Sequence, residues 1–366
     1  MMTKKRLYMD VHVIQTLPPS NINRDDTGSP KTAQYGGVRR ARVSSQAWKR
    51  AMRQYFNQQG AEENVGIRTK DIVNYVARKV RALNPDLSQD VAIAEAEKAI
   101  NNAGITTKEH MAKALFFLGN SQADGLARAV VSGKNEKADR KELQQIIANN
   151  PEIDIALFGR MVADAPELNT DASCQVAHAI STHAIQTEFD YFTAMDDLLA
   201  EDQTGAGMLG NIEYNSSTLY RYANISVHNF AAQLGEKEAT VAACKLFVEA
   251  FVNSLPTGKE NTFAHQTIPS FVMVTLREDR PVNLVSAFEK PVRTSDENGY
   301  IDISIDRLAD EYIKTEKIVL QPEANFYLKL SEKSLDNRLG RESINLSELL
   351  SQLGEAISSH LEEVGE

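Results

Sequence analysis

The chain has 366 residues, 42% of them apolar and 25% charged, with a net charge of −10. That length supports two or three domains around a substantial core, and the composition excludes a disordered or fibrous protein. Two cysteines, Cys174 and Cys244, exclude a disulfide framework and a multi-cysteine metal site.

No apolar run reaches membrane-spanning length, and Asp10 and His12 follow Lys4, Lys5 and Arg6 too soon for a signal peptide, so a soluble, cytoplasmic chain with no membrane partner is expected. The acidic balance argues against nucleic acid only until its distribution is read. Residues 1–53 carry eleven Lys/Arg against three Asp/Glu, a net of +8, which leaves −18 for the remainder. A basic segment on an acidic body is a localised footprint for an anion.

Leu7 to Gln15 alternates Leu7, Met9, Val11 and Val13 with Tyr8, Asp10, His12 and Ile14, the pattern of a half-buried strand, and Pro18-Pro19 ends it. Ser20 to Arg53 then holds eight cations against Asp25 and Asp26 alone. Its first half reads as a loop and its second as a short strand entering a helix with Ser44 or Ser45 at the N-cap. The helix face of Lys49, Arg50 and Arg53 has no carboxylate of its own to pair with, so it calls for an external anion.

From about 60 to 184 strand patterns nearly vanish, and residues 71–82, 89–102, 107–118, 121–131 and 137–149 show helical periodicity. Ser88 reads as a cap, Gly104 as a stop, and Thr106-x-x-Glu109 has capping-box spacing. Lys134, Lys137, Arg140 and Lys141 recur at near-helical spacing, which suits either a solvated face or a row of phosphate contacts. His178 and His183 are five apart and do not share a helix face, so a structural role fits them better than a metal pair.

Thr187 to Leu199 reads as an amphipathic, acidic helical segment. Gly205, Gly207 and Gly210 then match G-x-G-x-x-G, but without the preceding strand and following helix that a dinucleotide needs. Met208 and Leu209 at this loop's tip suit a wedge inserted into a partner. Strand-like Thr218–Val227, helical Glu236–Leu255 and strand-like Ser270–Leu276 follow, then a packed segment at 281–292 and helices at 301–312 and 346–361. An α+β, ferredoxin-like sheet accommodates this order, without the aromatic signature of an ordinary RNA-recognition strand.

Several runs together resemble the CRISPR Cascade backbone subunit CasC family of type I-E systems: Asn23-Arg-Asp-Asp26, Tyr35-Gly-Gly-Val-Arg-Arg-Ala-Arg-Val-Ser-Ser-Gln46, Lys49-Arg-Ala-Met-Arg53, Asp154-Ile-Ala-Leu-Phe-Gly-Arg-Met161, Ala177-His-Ala-Ile-Ser-Thr-His183, Tyr220-Arg-Tyr-Ala-Asn-Ile225 and Ala287-Phe-Glu-Lys290. The resemblance implies a palm at 1–59 and 185–366, a helical fingers insertion at 60–184, and a thumb loop at about 198–217. It implies crRNA contacts at Arg24, Lys31, Arg39, Arg40, Arg42, Ser44, Gln46, Lys49, Arg50, Arg53, Lys290 and Arg293. The thumb wedge would fall on Met208 and Leu209, and target-DNA contacts on Lys134, Lys137, Arg140 and Lys141. The implied partners are crRNA, target DNA, further copies in head-to-tail order, other Cascade subunits and a separate helicase-nuclease.

No cofactor, no metal site and no catalysis are expected. Two other classes compete. Asp25 and Asp26 could serve an RNA-cleaving loop, as in related backbone subunits of other CRISPR types, or simply fix the loop by pairing with Arg24 or its neighbours. A generic single-strand binder would show aromatic stacking platforms, yet aromatics are 7% of the chain and Trp48 is the sole tryptophan.

Overall fold

A computed structural model describes residues 6–60, 64–194, 208–335 and 338–363. β1 (Tyr8–Ser20) leads through a tight hairpin of β2 (Thr32–Tyr35) and β3 (Val38–Val43) into α1 (Ser45–Gln58). Gly36 turns that hairpin at φ +59°, and a Cβ there would lie 1.6 Å from the Glu289 carbonyl, so only glycine fits. The basic loop expected over the first half of Ser20–Arg53 is therefore partly strand.

A helix-rich unit follows: β4 (Ile67–Thr69), α2 (Ile72–Leu83), α3 (Gln89–Ala103), β5 (Thr107–Lys108), β6 (Met111–Ala112), β7 (Phe116–Leu118), α4 (Asn120–Val131), α5 (Arg140–Ala148) and α6 (Ile153–Phe158). Four of the five helical periodicities correspond to helices. The fifth, 107–118, is instead a β5–β6 hairpin followed by β7 on β4. Glu109 and His110 take positive φ at the hairpin turn, so the capping-box reading of Thr106-x-x-Glu109 is overturned. Ile72, Val76, Ile100, Leu126 and Ile147 close a core of this unit's own.

The chain returns through β8 (Cys174–Val176), β9 (Ala179–Ser181), β10 (Glu188–Ala194) and the long β11 (Met208–Ser226). It continues as α7 (Val227–Leu234), α8 (Lys237–Asn253), α9 (Glu260–Phe263), β12 (Phe271–Arg277), α10 (Tyr300–Thr315), β13 (Ala324–Lys329), β14 (Arg341–Glu342) and α11 (Leu346–Glu363). Among the described residues the main sheet runs β14-β13-β12-β1-β11-β9-β3-β2, with β8 and β10 also paired to β11. All its pairings are antiparallel except β13 with β14. The expected helix at Thr187–Leu199 is a strand over 188–194; the rest of that segment and the expected thumb up to residue 207 lie outside the described residues.

β1 is the sheet's centre and is covered on both faces, not half-buried as its alternation suggested. Met9, Val11 and Val13 meet Trp48, Phe247, Phe251 and Leu353 from α1, α8 and α11. Ile14 meets Phe271, Phe288 and Leu308 on the opposite face. Pro18 and Pro19 do not end the strand. β12 leaves β1 at Ile14, and a register shift between Leu17 and Ser20 interrupts the pairing with β11, so neither proline has to donate to a ladder. Among the described residues no helix is long and apolar enough to cross a membrane.

The opposite face also buries charge chemistry. Asp10 accepts from the Tyr222 hydroxyl at 2.7 Å and the Val282 amide at 3.0 Å, and His12 shares a 2.9 Å hydrogen bond with Tyr220. Burial raises the Asp10 carboxyl to about 7 and lowers His12 to about 3. With a raised native pKa, Asp10 makes stability fall as pH climbs from about 4 to 7. With a depressed one, His12 makes stability rise from about 3 to 6.5. The two slopes oppose each other. Denaturant titrations are therefore expected to show stability falling with pH over that window in His12→Gln and rising in Asp10→Asn, each approaching ~1.4 kcal/mol per pH unit. Parallel profiles for the two variants would refute the opposition.

Candidate nucleic-acid interface

Ser44 caps α1 by accepting from the Ala47 amide at 3.3 Å, and its own amide donates to Asn23 at 2.9 Å, which pins the basic loop to the helix start. Trp48, Ala51, Met52 and Phe56 turn inward. The outward face then carries Gln46, Lys49, Arg50 and Arg53. Two cavities flank it. The first, about 710 Å³, lies between α1, the loop at 22–28 and the turn at 256–259. The second, about 900 Å³, lies between α1 and the helix-rich unit and is lined by Lys49, Arg50, Arg68, Phe158 and Met161. Gln46 and Arg50 border both, so the two form one cationic strip.

The expected cations divide into free and engaged groups. Arg24, Arg39 and Arg50 are exposed, and Lys49 lies over the Phe158 ring at 5.5 Å. Arg42 donates to the Thr32 carbonyl and contacts His178 at 3.2 Å, beside half-buried Lys31. Burial and the charges of Arg42 and Lys31 lower the His178 pKa.

Arg40 differs. It is fully buried and donates to the carbonyls of Tyr35, Ser181, Phe288 and Glu289. Strand alternation sends Arg39 outward and Arg40 inward, so Arg40 staples the hairpin instead of facing an anion. Ser44 is likewise occupied by its cap. Arg53 has a partner that the local sequence hid: it donates to buried Asp154 at 2.8 Å and to the Gly66 carbonyl at 2.8 Å, tying α1 to the helix-rich unit.

Lys290 and Arg293 are exposed, and Lys290 lines a separate cleft with Arg307, Asp310 and Lys314. In the helix-rich unit, Lys134 pairs with Glu142 at 2.8 Å and Arg140 with Glu167 at 3.0 Å. Lys137 and Lys141 are exposed and carry no ion pair among the described residues. Met208 and Leu209 are the first residues of β11, opposite Ala194 and Thr193 in an arm formed by β10 and β11. Exposed Phe189 and Tyr191 share one face of that arm.

Sequence reasoning missed Arg68, Lys259 and Met161. Met161 is 87% exposed at the second cavity, beside Arg160, whose buried guanidinium clamps the Phe117, Ile147 and Leu168 carbonyls. The run Phe158-Gly-Arg-Met161 held that signal, a large apolar side chain after a charged one with no periodicity to bury it. Asp25, in the first cavity, accepts from the Thr27 hydroxyl and the Thr27 and Ser29 amides. Those hydrogen bonds, led by the Thr27 hydroxyl, lower its pKa.

The model of the CT1975-like protein family matches residues 9–354. The chain belongs to that family. Comparison with curated protein sequences returns no match. Among solved structures, the chain is similar to one described as "CRISPR RNA-guided surveillance complex, pre-nicking", at 30% identity and TM-score 0.83, over 95% of this chain and all of that one. A second, described as "CRISPR RNA-guided surveillance complex", shares 27% identity with TM-score 0.63, over 95% of this chain and 99% of that one.

Removing one partner of a buried pair leaves the other charge uncompensated. Arg53→Ala is therefore expected to lower unfolding stability by about 3–5 kcal/mol. Lys49→Ala should stay within about 0.5 kcal/mol of the parent. Chemical denaturation of both variants checks this, and equal effects would remove the distinction between tie and free cation.

Proposed function

We propose that this chain is the backbone subunit of a type I-E CRISPR surveillance complex, polymerising along crRNA and gripping its phosphates. The observation that carries the reading is the strip from Arg24 across Arg50 to Lys49 and Arg68, bordered by hydrogen-bonding Gln46 and walled by exposed Met161. Such a strip reads a charged backbone and leaves sequence to base pairing, which is how an RNA-guided system divides the work. The likeness to chains of RNA-guided surveillance complexes supports the assignment.

The strand order supports a ferredoxin-like palm. β12-β1-β11-β9 is antiparallel, with α1 after β1 and α8 between β11 and β12. The unit at 60–184 then serves as fingers and the β10–β11 arm as thumb, with Met208 and Leu209 as its wedge. Opening a base step costs a few kcal/mol, which repeated phosphate contacts must offset. A head-to-tail contact that does not close gives a filament, ended by other subunits. Target DNA would meet the unpaired Lys137 and Lys141, and a separate helicase-nuclease would act on it.

The role is binding, not catalysis. Asp25 is engaged within its own turn, which favours the loop-fixing reading over a cleaving one.

Counterion release relaxes the log–log salt slope by about 0.7 for each single-strand phosphate deprived of its cation. Lys49→Ala/Arg50→Ala is expected to weaken binding of single-stranded RNA and to flatten that slope by about 1.4. Fluorescence anisotropy across a salt series measures both. A double variant that matches the parent in affinity and slope would sink the assignment.

A further inference from the structure

The first cavity has a wall on the side away from α1. It is formed by the turn at 256–259 leading into α9, which is flanked by Lys259 at φ +55° and Ala264 at φ +46°, conformations that residues with side chains rarely adopt. Several contacts hold the loop there. A Cβ on Gly258 would lie 2.2 Å from the Ile22 carbonyl, so the turn packs directly against the basic loop. His265 is fully buried with Nε2 3.1 Å from the Pro256 carbonyl oxygen, and the Lys259 carbonyl accepts from the Thr262 and Phe263 amides. A strained residue over-determined by its surroundings points to use.

What the strain presents is a cation. Lys259 lines the cavity opposite Arg24 and Arg50, and none of the three has an ion pair among the described residues. Of the two carboxylates lining it, Asp25 is engaged with Thr27 and Ser29, which leaves Asp26 exposed against three cations. The loop also abuts the root of the arm. Phe263 packs on Tyr214 with ring centroids 5.9 Å apart, and Asn21 donates to both the Gly28 and Glu213 carbonyls at 2.9 Å.

We propose that Lys259 is a third phosphate ligand, gripping with Arg24 and Arg50 a single RNA backbone phosphate at the root of the arm. This rests on the RNA-binding reading and adds to it a residue from the second half of the chain. Three cations from separate segments that line one cavity can fix a phosphate's position, whereas a helix face alone only attracts it.

The test uses the full chain and a labelled single-stranded RNA oligonucleotide, with Lys259→Gly, which relieves the backbone strain, and Lys259→Asn, which tolerates the same φ, as paired variants. Both are expected to bind roughly three- to tenfold more weakly, with the salt slope flatter by about 0.7, and Lys259→Arg to restore both values. Weaker binding at an unchanged slope would mean that the loop acts through shape, which overturns the proposal. Parental affinity and slope in the Lys259 variants, with Lys49→Ala/Arg50→Ala still impaired, overturns it while leaving the RNA-binding reading intact. An unmodified chain that binds no RNA overturns that reading instead.

Discussion

The cationic face of α1 depends on one buried guanidinium. Arg221, in the middle of β11, lies 3.7 Å from the Trp48 ring centroid and 4.5 Å from that of Phe251, with its donors on the Gln15 side chain and the Phe251 carbonyl. Burial pushes its pKa down to about 9. A desolvated cation is tolerable there because two aromatic faces and two oxygens replace water. The contact joins β1, β11, α1 and α8, so it sets the roll of α1 about its axis. With Trp48 held inward, helical geometry sends Gln46, Lys49 and Arg50 outward.

The same economy sorts the other arginines. Arg40 and Arg160 are buried carbonyl clamps, the first closing the β2–β3 hairpin on the segment at 288–289 and the second closing the helix-rich unit on itself. Arg53 ties α1 to the helix-rich unit through Asp154. Among the described residues, Arg24, Lys49, Arg50, Arg68 and Lys259 remain without an ion pair, and the fold gathers them around α1. A body of negative net charge can thus carry a confined positive strip, so that acidic surroundings oppose anion binding elsewhere.

Where local pattern and long-range pairing agreed, the sequence was readable. The Ser44 cap, α1, α2, α3 and α8 each follow from a cap or an apolar period that the fold then uses. Where they disagreed, pairing won. Thr107–Leu118 carries a helical period, yet Phe116–Leu118 finds a partner in Ile67–Thr69, and Glu109 and His110 adopt turn geometry that no period announces. Glu188–Ala194 likewise becomes a strand because β11 extends far enough beyond the sheet to pair with it.

The charge asymmetry, the basic segment before residue 54, the helical insertion and the carboxylate-free face of Lys49, Arg50 and Arg53 were legible in composition and local order, and the family resemblance added Arg24. Which cations stay free was decided by the tertiary structure. Arg40 differs from Arg39 only in which face of β3 it leaves, and Arg53 from Arg50 only in having Asp154, about 100 residues away, within reach. Lys259, more than 200 residues beyond Arg24, shares a cavity with it because α8 carries the chain back across the sheet. Charge is a property of the residue, but its availability depends on which carbonyls and carboxylates the fold brings to it.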